Sequence, residues 1–233
     1  MSTYLQLCEY LRQETTDSGT GPSAVTGQTG ELARFVKWIA DAWTELQQDR
    51  EDWRWMRKSF TVPTVASTEG YAYDATSLVD TVSSAAVTRW ARWYEDCFKC
   101  YLQSTGVSGE YQLIWMDWEP FRRRYHYGSQ TDGQPIHVSI NPAGKFTLGP
   151  KPSAVYVVGG DYQIGPQILA ANGDTPEMPT RFHNLIVYEA MSKYGGNRVA
   201  PDAMLRALTE GGRLRNALEL DQLPAFGYAG PLA

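Results

Sequence analysis

The sequence lacks the short motifs that carry common enzyme chemistry. No phosphate-binding glycine loop, dinucleotide-binding glycine fingerprint, nucleophile elbow or zinc-protease helix occurs in its 233 residues. Histidine is scarce. His126, His137 and His183 each stand in an aromatic or apolar context, and none has a second ligand two to four residues away. Core or surface roles are therefore expected for them, in preference to metal binding or general base work. Three cysteines, an odd count, give no disulfide framework and fit a reducing compartment. Cys97 and Cys100 have C-x-x-C spacing, but no second pair completes a zinc site and the run around them reads as strand. Ordinary buried thiols are expected. Long apolar runs are missing too. Leu113 to Met116 and Ala154 to Val158 fall far below the roughly 20 residues that span a bilayer, so no membrane partner is expected. The first residues carry no basic segment and no apolar core of a signal peptide. Nor is there an excess of positive charge. A net charge of −5 argues against non-specific affinity for nucleic acid, though not against a protein that surrounds DNA without gripping it.

What is present is ordinary soluble material, 42% apolar and 20% charged, long enough for one large domain or two small ones. Tyr4, Leu7, Cys8 and Leu11 recur at helical spacing, so Ser2 to about Glu14 reads as an amphipathic helix capped by Ser2 or Thr3. A Gly- and Pro-containing loop follows, from Asp17 to Gly30. The stripe Leu32, Phe35, Val36, Ile39, Trp43 and Leu46 then predicts a second helix to about Asp49.

Between Trp53 and Ile164 the pattern is β-type. Strands are expected at 53–62, weakly at 71–74, most strongly at 89–103, and at 113–116, with a short helix from Trp118 to Tyr127. Alternating Ile136, Val138 and Ile140, a turn at Asn141–Gly144 and a return over 145–148 predict a hairpin. A longer strand runs from Ala154 to Ile164, with Gly159–Gly160 as a bulge. The chain closes on helices from Thr180 to Tyr194, terminated by Gly195–Gly196–Asn197, and from Pro201 to Leu220, bent or loosened at Gly211–Gly212.

These readings give an α+β fold: a helical bundle of N- and C-terminal helices (1–50 and 179–222), a central antiparallel β-rich insertion domain (51–178), and an extended C-terminal tail (223–233). No catalytic, cofactor or metal residues are assigned. Asp117 and Glu119 could serve as an acid–base pair, but two acids in an Asp-Trp-Glu-Pro turn more often begin a helix. Arg122, Arg123 and Arg124 form the one dense basic cluster. On a helix they fan over about 200°, too wide for one groove-lining stripe; salt bridging to a neighbouring subunit is favoured over a merely solvated face. All eight tryptophans lie between Trp38 and Trp118, in near-pairs at 53/55, 90/93 and 115/118. Exposed, they would form a sugar-stacking platform or an interface hot spot; a shared core is the slightly stronger reading.

The order of motifs carries a resemblance. Leu7-Cys8-x-x-Leu11-Arg12-x-Glu14 precedes Gly21-Pro22 and Gly27-Gln28-x-Gly30-Glu31-x-x-Arg34. Trp115-Met116-Asp117-Trp118-Glu119-x-Phe121 runs into the three arginines and Tyr125. Pro179-x-x-Phe182-His183-x-Leu185-Ile186-Val187-x-x-Ala190-Met191-x-x-Tyr194-Gly195 precedes a last helix ending in Asp221-Gln222-Leu223-Pro224. The chain resembles the head-to-tail adaptor (connector) proteins of tailed bacteriophages. That resemblance implies a structural virion protein in the neck, assembled in the host bacterial cytoplasm. It would form a homo-oligomeric ring, commonly of twelve copies, between a portal protein and downstream neck or tail proteins, with DNA passing through unbound. Twelve copies of charge −5 carry about −60, and a negative lumen would repel phosphates. The tail residues Leu223, Pro224, Phe226, Tyr228 and Pro231 then become candidate anchors for the portal, ordered on assembly. Rival readings are another neck or tail-completion protein, a carbohydrate-binding module resting on the tryptophans, and a hydrolase using Asp117 and Glu119.

Overall fold

The computed structural model describes residues 2–15, 20–75 and 77–223. It is a mixed α+β structure that divides into two compact units, Met1–Trp55 with Pro166–Ala233, and Met56–Gly165. The first unit reaches further into the middle of the chain than the expected boundaries of 50 and 179. The reason lies in the backbone of the returning segment. Gln47 brackets Gln167, accepting its N–H (2.7 Å) and donating to its carbonyl (3.1 Å). Asn172 Oδ1 accepts the Val25 N–H (2.7 Å), and the Asp174 carbonyl accepts the Tyr4 N–H (2.7 Å).

In the first unit, α1 (Tyr4–Glu14) buries Tyr4, Leu7, Cys8 and Leu11. Thr3 and Gln6 close a reciprocal capping box, each side chain accepting from the other's backbone N–H. Helix α2 (Gly30–Gln48) buries Phe35, Ile39, Trp43 and Leu46, while Leu32 and Val36 stay half-exposed at the stripe's edge. Helix α3 (Trp118–Tyr125) belongs to the other unit. Helix α4 (His183–Arg198) packs against α1, α2 and α5 (Pro201–Gln222). Contact with three helices is why it buries Leu185, Ile186, Val187, Ala190, Met191 and Tyr194, well beyond a single stripe.

The glycine pairs behave differently from expectation. Gly195–Gly196–Asn197 does not end α4; Val199, in the left-handed region at φ 53°, caps it. Gly195 instead lets α5 come close, since a Cβ there would stand 3.1 Å from Met204 Cβ. Helix α5 runs unbroken through Gly211–Gly212, and Gly211 admits Tyr188, whose Cβ would be 3.3 Å away.

The second unit holds two sheets. Strands β1 (Arg57–Pro63), β3 (Val79–Asp80), β5 (Lys99–Leu102), β6 (Tyr111–Gln112) and β10 (Tyr156–Ile164) run in the order β3-β1-β10-β5-β6, and β4 (Trp90–Trp93) also pairs with β10. The expected single strand over 89–103 is therefore two. Residues Glu95–Cys97 make a 3₁₀ turn, after which β5 takes the stretch of β10 that β4 leaves free. Gly159 and Gly160 sit in regular register opposite Thr61 and Phe60, and the irregularity falls at Gln163/Ile164. Gly160 makes room for the Phe60 ring, whose Cε1 would lie 3.1 Å from an added Cβ.

The second sheet is β2-β9-β8-β7, from β2 (Gly70–Tyr71), β7 (Ile114–Trp115), β8 (His137–Ile140) and β9 (Phe146–Gly149). One pair departs from the antiparallel expectation: β7 and β8 are parallel. They can be, because α3 lies on the connection between them, and parallel neighbours need such a crossover. The β8–β9 hairpin forms at Asn141, whose side chain accepts the Ala143 and Lys145 N–H groups, both at 3.0 Å. Burial does not alternate as read, for His137, Val138 and Ser139 are all buried and Ile136 is exposed.

Candidate functional site

The tryptophans are mostly packing residues. None of the eight is exposed. Trp53 and Trp55 stack at 4.5 Å, not along one face of a strand but where the chain turns in 3₁₀ form, and Trp53 Nε1–H donates to the buried Leu46 carbonyl. Trp90 stacks on Tyr73 at 4.9 Å. The tryptophans thus form no exposed strip for sugars, and the carbohydrate reading, which rested on them, loses its motive.

The expected acid–base pair is not assembled either. Asp117 and Glu119 are both exposed at the start of α3, and Glu119 pairs with Arg122 at 3.1 Å. They do not converge in a cleft. The Cys97 thiol donates to the Tyr94 carbonyl and accepts the Asp161 N–H, both at 3.1 Å. Burial pushes Cys97 up, and Cys100 to about 11, so both remain thiols rather than nucleophilic thiolates. Among the described residues no group of three or more His, Cys, Asp or Glu could hold a metal ion, and no helix is long and apolar enough to cross a membrane.

The histidines are structural. His126 bonds Glu69 and meets the Trp118 ring edge-on at 5.3 Å. His137 Nδ1 accepts from Tyr125 Oη–H at 2.7 Å. His183 Nε2–H donates to the Met178 carbonyl (3.1 Å), and its Nδ1 accepts the Ser2 N–H (3.3 Å), fastening the start of α1. Burial lowers the pKa of both His137 and His183. Their neutral forms therefore stabilise the fold above the unfolded value near 6.5, and that contribution is lost as pH falls below it through the depressed values. Thermal unfolding followed from pH 8 to pH 5 should show stability declining below about 6.5, by at most about 1.4 kcal/mol per pH unit for each histidine. The variant H137Q/H183Q should show a flatter profile, and an equally steep one would refute the assignment.

The candidate interface residues divide. Arg122, Arg123 and Arg124 are exposed on α3, which is seated on β8 through Phe121 and Tyr125. Arg122 is held by Glu119, Arg124 lies 5.6 Å over the Tyr125 ring, and Arg123 makes no ion pair among the described residues. Leu223 is half-buried at the end of α5, its N–H donating to the Glu219 carbonyl (2.9 Å). Pro224, Phe226, Tyr228 and Pro231 lie outside the described residues. Two surfaces escaped sequence reasoning. One is a groove of about 300 Å³ on α1 and α4, lined by Tyr10, Gln13, Asn184, Val187 and Tyr188 among others. The other is an exposed apolar face on α5.

Charge is partitioned between the units. Met1–Trp55 with Pro166–Ala233 hold sixteen Asp and Glu against eleven Lys and Arg, whereas Met56–Gly165 hold ten of each sign. Much of the helical unit's basic charge is spent between helices, as in Lys193–Glu45 (2.6 Å), Arg50–Glu219 (3.0 Å) and Arg215, which reaches Glu189 (2.9 Å) and Asp49. No curated protein matches the chain. Residues 2–227 match the family model described as SU10 adaptor protein. The chain belongs to that family, a bacteriophage head-to-tail adaptor family of structural proteins.

Proposed function

We propose that copies of this chain form a closed ring, of twelve subunits, beneath a portal protein in the virion neck, where the ring prolongs the DNA channel and presents the attachment site for the tail. The observation that carries this reading is the family match over residues 2–227. The surface supports it, with exposed apolar and basic patches in place of converging titratable groups. In the proposed ring the helical unit, which holds the whole acidic excess, borders the channel, so that DNA phosphates are repelled and slide past. The β-rich unit is the insertion carried on a helical bundle, and Arg122–Arg124 reach acidic groups of a neighbouring subunit. Assembly takes place in the host bacterial cytoplasm, and downstream neck or tail proteins bind the free side of the ring.

The tail from Leu223 onward docks on the portal through Phe226 and Tyr228, with Pro224 and Pro231 limiting the chain entropy lost on ordering. The test is imaging of the purified chain mixed with the portal protein of the same virus. Rings of twelve on the portal's tail-side face are expected, and a chain truncated after Leu223 should keep its helical circular dichroism but lose docking by at least about tenfold in affinity, the loss of one anchor's worth of binding energy. Unimpaired docking of the truncated chain would remove the tail from the reading. Binding at the distal end of the neck would instead identify a tail-completion protein.

A further inference from the structure

Of the five asparagines in the chain, only Asn172 is followed by glycine. That pair is the one most prone to ring closure, because no side chain on glycine hinders the approach of its amide nitrogen to the asparagine side-chain carbon. Asn172 and Gly173 are the exposed centre of a turn closed by the Asp174 N–H on the Ala171 carbonyl at 3.0 Å. Neither central residue has a positive φ, so the turn is of type I. Space is open beside it, since a Cβ on Gly173 would meet nothing within 4 Å.

The same turn is the clasp of α1. The Asn172 and Asp174 carbonyls accept the N–H groups of Leu5 (3.3 Å) and Tyr4 (2.7 Å), at the helix start. Asn172 Oδ1 accepts the Val25 N–H at 2.7 Å, and the Asp174 carboxylate accepts the Ala170 and Ala171 N–H groups at 2.7 and 2.8 Å. Ring closure requires a rotation about the Asn172 Cα–C bond that swings the Gly173 nitrogen against Cγ. The peptide unit is planar, so the Asn172 carbonyl oxygen swings with that nitrogen. The rotation therefore breaks the bond to Leu5 and opens the turn. While α1 is docked, the reactive geometry is out of reach.

We propose that Asn172 is a spontaneous modification site gated by the docking of α1 on this turn. When the clasp opens, the Gly173 nitrogen bonds to Cγ, the Cγ–Nδ2 bond breaks, and Nδ2 leaves as ammonia with the Gly173 proton. Water then opens the cyclic imide at either carbonyl, giving aspartate or isoaspartate. In isoaspartate the main chain runs through the side-chain carbon and is longer by a methylene. The turn then cannot re-form in register, and Tyr4 and Leu5 lose their acceptors. Modification thus makes a transient opening of α1 permanent.

The test incubates the full chain at one mildly alkaline pH, folded and in urea, and follows conversion at Asn172 by peptide mass mapping. The folded chain should convert at least about tenfold more slowly than the unfolded one, a protection set by the opening equilibrium. Thr3→Ala removes the hydroxyl that caps α1, and should speed the folded chain about fivefold while leaving the unfolded rate unchanged. Gly173→Ala, whose methyl has room in the fold, should nearly abolish conversion in both states. Hydrogen exchange at the Tyr4 and Leu5 amides should rise in the converted chain. Equal rates folded and unfolded, or a folded rate indifferent to Thr3→Ala, would overturn the gate. Undiminished conversion in Gly173→Ala would overturn the site, and unchanged exchange would overturn the loss of the clasp.

Discussion

Replacing Phe60 with alanine should destabilise the β-rich unit by about 3–5 kcal/mol, the upper range for deleting a buried aromatic side chain. Phe60 is fully buried on β1, and its ring centroid lies 4.8 Å from Trp93, 5.7 Å from Phe146 and 5.8 Å from Phe98. Trp93 comes from the first sheet and Phe146 from the second, so this one ring helps fasten the two sheets together. The neighbours are flat, stiff side chains, poorly able to collapse into the space left behind, and the residual cavity adds to the lost transfer energy. Gly160 compounds the loss, because its missing Cβ is the room the ring now fills. For a unit of about 100 residues, each kcal/mol shifts the midpoint by about 4–8 °C, so the transition of the β-rich unit should fall by more than about 12 °C. Near-ultraviolet circular dichroism reports both units, since Trp38, Trp43, Trp53 and Trp55 lie in the helical one, so hydrogen exchange at the β1 and β10 amides would follow the β-rich unit and far-ultraviolet ellipticity at 222 nm the helices. Phe60→Leu, which keeps most of the volume, should cost only about 1–1.5 kcal/mol. Equal midpoints for Phe60→Ala and the unsubstituted chain would refute the role given to this ring.

The residues that announced themselves in the sequence did so through local period and local chemistry. Tyr4, Leu7, Cys8 and Leu11 fix α1 because their spacing matches 3.6 residues per turn, and Thr3 fixes its start because its hydroxyl can reach a backbone N–H. Asn141 fixes the β8–β9 turn by the same kind of short-range bond. The glycine pairs misled because glycine answers two different needs. It can supply a positive φ, which ends helices, or it can remove a Cβ, which lets two elements touch. At Gly160, Gly195 and Gly211 the second need applies, and the partners that create it, Phe60, Met204 and Tyr188, are distant in sequence or unrecognisable as neighbours. The parallel pairing of β7 with β8 and the attachment of residues 166–178 to the helices are likewise long-range facts. The site was legible to a lesser degree. Arg122–Arg124 could be found and placed on a helix, but the groove on α1 and α4 exists only once two helices separated by more than 160 residues are side by side. Leu205 and Leu208 look like core leucines until α4 is seen to occupy the opposite face of α5.

Gly149→Ala should be nearly as damaging as the loss of Phe60, for the opposite reason. A Cβ at this position would lie 2.4 Å from Tyr125 Cε2 and 2.8 Å from Phe121 Cε2, far inside van der Waals contact. The backbone of Gly149 has little freedom to retreat. It pairs with His137 across β8 and β9, and its carbonyl accepts the Ile136 N–H at 2.9 Å. The strain must therefore be relieved by moving α3, which carries both rings at i and i+4 on the side packed against β8. Phe121 is fully buried, so its displacement opens a void where it now sits. Tyr125 would be drawn away from His137, whose buried Nδ1 would lose the hydroxyl that satisfies it. Overpacking and the broken hydrogen bond together should cost about 3 kcal/mol or more. Because α3 presents Arg122, Arg123 and Arg124, the same variant should also weaken any contact those arginines make, whereas Arg123→Ala should leave stability within about 0.5 kcal/mol. A double-mutant cycle isolates the clash. Combined with Tyr125→Ala, the added methyl loses its nearer clash and keeps only the one with Phe121, and a favourable coupling of about 1 kcal/mol or more should appear. Strict additivity of the two substitutions would mean that α3 does not press on β9 as described.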